Sequence, residues 1–205
     1  MRRACCVALG LATLALAWGL PPLVSARGFS AHMSTHVAVV AVAAPLLALG
    51  VAGGRYDPVR RGPGWFPPVP LSLGEFVVVW AWHSPALHHA ARDHAAWRAV
   101  EQGSFLAAGF AVWLAAFGGG AALRSERVGA GVVALLLTSM HMTLLGALLA
   151  LAPRALYPEC SGATGLGAVD DQHLGGAIML LVGGASYLLG GLWLTATLLR
   201  REATT

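Results

Sequence analysis

Lysine is absent from this 205-residue chain, so all thirteen basic residues are arginine, and charged side chains of every kind make up only 11% of it. An average soluble domain carries roughly 25%. That scarcity, with 57% hydrophobic residues and a mean hydropathy of +0.69, excludes an ordinary soluble domain and identifies an integral membrane protein. The arginines fall near the ends of apolar stretches rather than in one patch, so the pI near 9.5 reports membrane orientation and not nucleic-acid binding. Cysteine is scarce too. Cys5, Cys6 and Cys160 are an odd number without CxxC spacing, which excludes a disulfide framework or a zinc knuckle. The longest polar stretch, residues 53 to 70, is rich in Gly, Pro and Arg and cannot bury a core of its own. Residues 1–205 are therefore expected to form a single integral membrane domain.

About 20 apolar residues span a bilayer core, and six segments qualify: about 4 to 24, 31 to 52, 71 to 91, 103 to 122, 128 to 151 and 173 to 198. The expected fold is all-α, a polytopic membrane bundle of about six transmembrane helices. The first segment follows Arg2 and Arg3 and ends in small residues, so residues 1–26 are either the first transmembrane helix or a signal peptide cleaved after Ala26. Arg2 with Arg3, Arg55 with Arg60 and Arg61, Arg124 with Arg127, and Arg200 with Arg201 alternate with turns poorer in arginine, which places those four groups in the cytoplasm. In the turn holding Arg92 and Arg98, Asp93 and Glu101 partly balance the charge.

That orientation puts all eight histidines in the outer half. In AHMSTH, His32 and His36 are spaced i, i+4, so both imidazoles share one helix face about one turn apart, a separation that lets two rings bind one metal. Met33 points roughly 100° away. Imidazoles with a thioether suit copper, and the soft sulfur favours Cu(I). The plainer possibility is a pair of polar residues at headgroup level.

His83, in VVVWAWHSPALHH, lies about 12 Å inside its segment and His141, in LLLTSMHMTLLG, about 15 Å inside. Polar groups at such depth must face protein or water and find partners. Pro85 should free the Ala81 carbonyl and kink its helix beside His83. Trp82 either sits at the interface or walls the pocket. His88, His89 and His94 suggest a solvated face. His173 opens the sixth segment beside Asp171 and Gln172. Asp171 either caps that helix or orients a metal-bound histidine through its second nitrogen. Glycines at 175, 176, 183, 184, 190 and 191 form a small-residue face for close helix approach.

AHMSTH with APLLALG, then WAWHSPAL, GSFLAAGFAVW, HMTLLGALLALAPRALYP and DQHLGGAIM, in that order over about residues 30 to 180, resemble the bacterial CtaG family of assembly factors for caa3-type cytochrome c oxidase. The resemblance implies a multi-pass protein of the bacterial inner membrane that helps deliver or insert copper into the oxidase and is not itself an enzyme. It implies a metal site facing the periplasm or cell exterior, with oxidase subunits and a periplasmic copper donor as partners. The family's motifs fall on His32, Met33 and His36, on Trp82, His83 and Pro85, on His141, and on Asp171 and Gln172.

Residues and resemblance together point to a copper path, with His32, Met33 and His36 as its outer gate, His83 and His141 deeper, and His173 beside them. Because ligating imidazoles must be neutral, copper binding is expected to weaken as pH falls below about 6.5. Two alternatives stand: a haem b electron-transfer protein with His83 and His141 as axial ligands, and a metal-free assembly scaffold. No serine or cysteine sits with a histidine and a carboxylate at an interpretable spacing, which argues against a hydrolase.

Overall fold

The computed structural model describes residues 2–20, 28–158 and 165–202. Cys160 and the possible cleavage point after Ala26 lie outside them. Among the described residues there are no strands and seven helices, five of them long and apolar enough to cross a membrane. They are α1 (Arg2–Gly19), α2 (Phe29–Val51), α3 (Pro68–Trp82), α4 (Pro85–Asp93), α5 (Ala95–Phe117), α6 (Ala121–Ala150) and α7 (Ala168–Glu202). Helices α2, α3, α5, α6 and α7 pack on one another, and α1 lies outside them against α2.

The third expected span is two helices. At 15 residues α3 extends about 22 Å, short of a hydrocarbon core of about 30 Å. Pro85 does more than kink the chain: its ring cannot continue the helix, Ser84 turns extended, and α4 starts afresh. The Ala81 carbonyl that Pro85 leaves accepts hydrogen bonds from the Ser84 hydroxyl at 2.7 Å and the Ser84 N–H at 3.0 Å. The fourth span begins at Ala95 rather than 103, which carries Glu101 into a helix.

Two helices contain π-turns, Ala38–Ala43 in α2 and Met179–Gly184 in α7, and the two turns touch. Pro45 lacks an N–H for the Ala41 carbonyl, four residues back. The Ser186 hydroxyl of α7 donates to that carbonyl at 2.7 Å, and Tyr187 reaches the neighbouring Val40 carbonyl at 3.3 Å. The irregular backbone is thus satisfied across the helix contact.

Small residues let α6 and α7 approach, as the glycine spacing suggests. A methyl group at Gly176 would lie 2.4 Å from the Ala150 nitrogen, and one at Gly146 2.7 Å from the Leu180 nitrogen. At the end of the bundle away from the histidines, buried Asp57 accepts from the N–H groups of Gly53 at 2.6 Å, Val59 at 2.9 Å and Gly119 at 2.7 Å. Gly53 (φ 68°) and Gly119 (φ 92°) adopt left-handed backbone there, which side chains disfavour.

Candidate metal centre

Helix α2 presents the first ligand face, and α7 fixes where it begins. Gly28 offers no side-chain cap, so the Asp171 carboxylate of α7 supplies one, accepting from the Phe29 N–H at 2.5 Å, the Ser30 hydroxyl at 2.5 Å and the Ser30 N–H at 3.4 Å. Asp171 therefore caps the helix that carries His32 and His36, where a cap on its own helix or an imidazole-orienting bond was expected. Its neighbour Gln172 accepts from the Leu156 N–H at 2.6 Å and donates to the Leu149 carbonyl at 3.3 Å, tying down the chain after α6.

His32 meets two residues that the sequence pattern assigned elsewhere. Its Nε2 lies 3.6 Å from Glu101 Oε1 of α5, and its ring meets the His88 ring of α4 edge-on at 4.7 Å. One ligand atom from each of His32, His88 and Glu101 can be chosen so that all lie within 4.8 Å of one another. The spacing fits a single metal ion.

His88 was expected on a solvated face and Glu101 in a turn, balancing its arginines, and both are buried. The signal for Glu101 was its register: Glu101, Phe105, Gly109 and Val112 form one buried stripe at helical spacing on α5. On the short helix α4, burial and the nearby Arg92 guanidinium push the His88 imidazole down to about 3, so it is neutral at ordinary pH. A surface cavity of about 360 Å³, lined by Pro85, His89, Tyr157 and Pro158 among others, has His88 of this group in its wall. Tyr157 stacks on Phe29 at 4.5 Å and packs against His88 at 4.5 Å, while its hydroxyl donates to the His83 carbonyl at 2.5 Å.

One turn along α2, His36 is fully buried, with its ring 5.2 Å from that of His83 and 4.1 Å from that of Phe105. The His83 Nδ1 lies 2.6 Å from the Val79 carbonyl, an acceptor, so Nδ1 carries the proton and Nε2 keeps its lone pair. His36 is within electrostatic reach of both His83 and His141. Neither ring nitrogen of His36 or of His141, nor Nε2 of His83, has a hydrogen-bond partner among the described residues, although all are buried. Leaving such a group unsatisfied costs about 1–3 kcal/mol; as a neutral imidazole each ring offers one lone pair, a donor type that suits a soft or borderline cation.

Three other sequence candidates stand apart from these rings. Met33 is buried where its Cγ would meet a methyl group at Gly175 of α7, so it fills the α2–α7 contact. His173 Nε2 hydrogen-bonds the Ala152 carbonyl at 2.9 Å. Trp82 donates to the Ser104 hydroxyl at 2.9 Å and faces Trp97, walling the α3–α5 contact. The haem arrangement places two imidazoles on opposite faces of a flat macrocycle; here His36 and Phe105 lie against His83, and Phe76 lies edge-on to His141 at 5.4 Å.

A family model described as cytochrome c oxidase caa3 assembly factor (Caa3_CtaG) matches residues 1–201. No curated protein and no solved structure matches the chain.

Proposed function

Since the chain belongs to the cytochrome c oxidase caa3 assembly factor family, we propose that it serves assembly by taking up copper from the outer face and passing it to the oxidase, without catalysing a reaction. The observation that carries this reading is the meeting of His32, His88 and Glu101, from three helices, with His88 also lining a surface cavity.

Two imidazoles and a carboxylate favour a divalent ion over Cu(I), because the carboxylate is a hard donor and the thioether of Met33 is engaged in packing. Copper enters as Cu(II) at His32, His88 and Glu101. It then exchanges ligands with His36, which lies one turn further along the same helix and adjoins His83. His141 extends the imidazole group inward. Arginine placement orients this end toward the periplasm of the bacterial inner membrane. Oxidase subunits receive the ion, and a periplasmic donor supplies it.

Elemental analysis of the purified protein after exposure to Cu(II) tests the reading. About one or more copper ions per chain, lost in a His32→Ala plus Glu101→Gln variant that remains monodisperse, is the expected result. Iron in place of copper would support the haem reading. Absence of both metals would leave an assembly scaffold.

A further inference from the structure

The copper path makes no use of Glu75, a carboxyl buried to 1% exposure within the bundle. It lies on the stripe Pro68, Ser72, Glu75, Val79 and Trp82 of α3, the face turned to the other helices. Every polar group around it is neutral. Thr138 of α6 donates to Oε2 at 3.3 Å and is itself 2.8 Å from the Ser72 hydroxyl, which reaches the Ala134 carbonyl at 3.1 Å. The Tyr187 hydroxyl of α7 hydrogen-bonds Oε1 and also reaches the Val40 carbonyl of α2 at 3.3 Å. From α5 the facing residue is Gly109, where a methyl group would lie 3.5 Å from Oε1. Among the described residues no cationic side chain pairs with Glu75.

This wiring accommodates the carboxyl in either protonation state. As a carboxylate, Glu75 accepts from Tyr187 at Oε1 and from Thr138 at Oε2. As an acid with its proton on Oε1, it donates to the Tyr187 oxygen, and the Tyr187 proton turns to the Val40 carbonyl. No donor or acceptor is stranded in either form. An ionised group with no cation in an apolar interior is costly, and a hydroxyl that can reverse its hydrogen bond lets the neutral form stand.

We infer that Glu75 is a proton-binding site in the bundle core, and that taking up the proton turns the Tyr187 hydroxyl from Glu75 to the Val40 carbonyl of the α2 π-turn. The change adds one proton from water to Oε1 and re-aims one O–H; no other bond is made or broken. Its mechanical output falls on α2, the helix that carries His32 and His36, at the turn just beyond His36. π-Turns recur at functional sites, and this one meets the π-turn of α7 just before Tyr187.

Infrared spectroscopy of the metal-free protein tests the inference without reference to copper. As pH is lowered from about 9 to 5 the wild type should gain the C=O stretch of a neutral carboxylic acid, a gain that is retained in Glu101→Gln and lost in Glu75→Gln. Tyr187→Phe should move that band to higher wavenumber, because the acid O–H loses the Tyr187 oxygen that accepts its hydrogen bond. Glutamine keeps the acceptor oxygen for Tyr187 or Thr138; should Glu75→Gln fail to fold, the Tyr187→Phe shift decides. A band untouched by Glu75→Gln, or unmoved by Tyr187→Phe, overturns the inference. Copper uptake is read separately, so a protein that binds no copper but shows the Glu75 band retains the proton site and loses only the copper reading.

Discussion

His32 Nε2 and Glu101 Oε1 lie 3.6 Å apart although they belong to α2 and α5, and each atom is buried with no hydrogen-bond partner among the described residues. Two adjacent polar atoms left this way in an apolar bundle form a poor structural contact and a good pair of metal ligands. With His88 they form the group at which the proposed copper would enter.

Replacing Glu101 by Gln keeps its shape and removes the anionic donor. Cu(II) affinity should fall by at least about 10-fold, the lower end of the loss seen when a ligand's supporting partner is removed. Calorimetric titration of the variant against wild type measures it; equal affinity would remove Glu101 from the site.

Asp171→Ala withdraws the cap from the first turn of α2. The expected cost is about 1–2 kcal/mol, seen as a lower unfolding temperature in detergent, and copper binding should weaken because His32 lies in that turn. Asp171→Asn, which retains one acceptor oxygen, should lose less. Copper affinity unaffected by Asp171→Ala would separate the cap from the site.

Gly176→Ala tests the α6–α7 contact, since its methyl group would meet the Ala150 backbone at 2.4 Å and the Gly146 carbonyl at 2.7 Å. Backbone cannot yield as a flexible side chain can. A loss of about 1–3 kcal/mol is expected, whereas Gly74→Ala, which faces open space, should be close to neutral. Comparison of their unfolding temperatures checks the difference.

Burial holds folded His88 near 3, while the unfolded chain takes up that proton near the ordinary value of 6.5. Between those values the unfolded state binds more protons, so stability should fall as pH is lowered from about 6.5 toward 3. Unfolding temperatures of the metal-free protein, measured across this window, should fall less steeply in His88→Gln. An unchanged slope would assign the effect to other groups. The same depression means that protonation of His88 does not by itself release copper near pH 6.5, which moves the expected loss of binding to more acidic conditions.

The sequence by itself determined the membrane bundle, because apolar length and the want of charge leave few alternatives, and it determined which end holds the histidines, because each opens, closes or penetrates a segment from the same side. It also marked the glycines of α7 and a distortion at Pro85, though as a kink where the structure has a break, both local consequences of residue type. Tertiary structure decided which rings meet. His32 and His36 share a helix face by spacing alone, yet their partners, His88 with Glu101 for one and His83 for the other, come from α3, α4 and α5. Glu101 looked like a surface charge because its helix was expected to start at 103; once α5 begins at Ala95, the register of that helix turns the carboxylate inward. Glu75 was legible only as part of the Ser72–Glu75–Val79 stripe, and its hydrogen bonds to Tyr187 and Thr138 depend on three helices arriving together. Periodicity determines which face a residue occupies; the crossing of helices determines what that face meets.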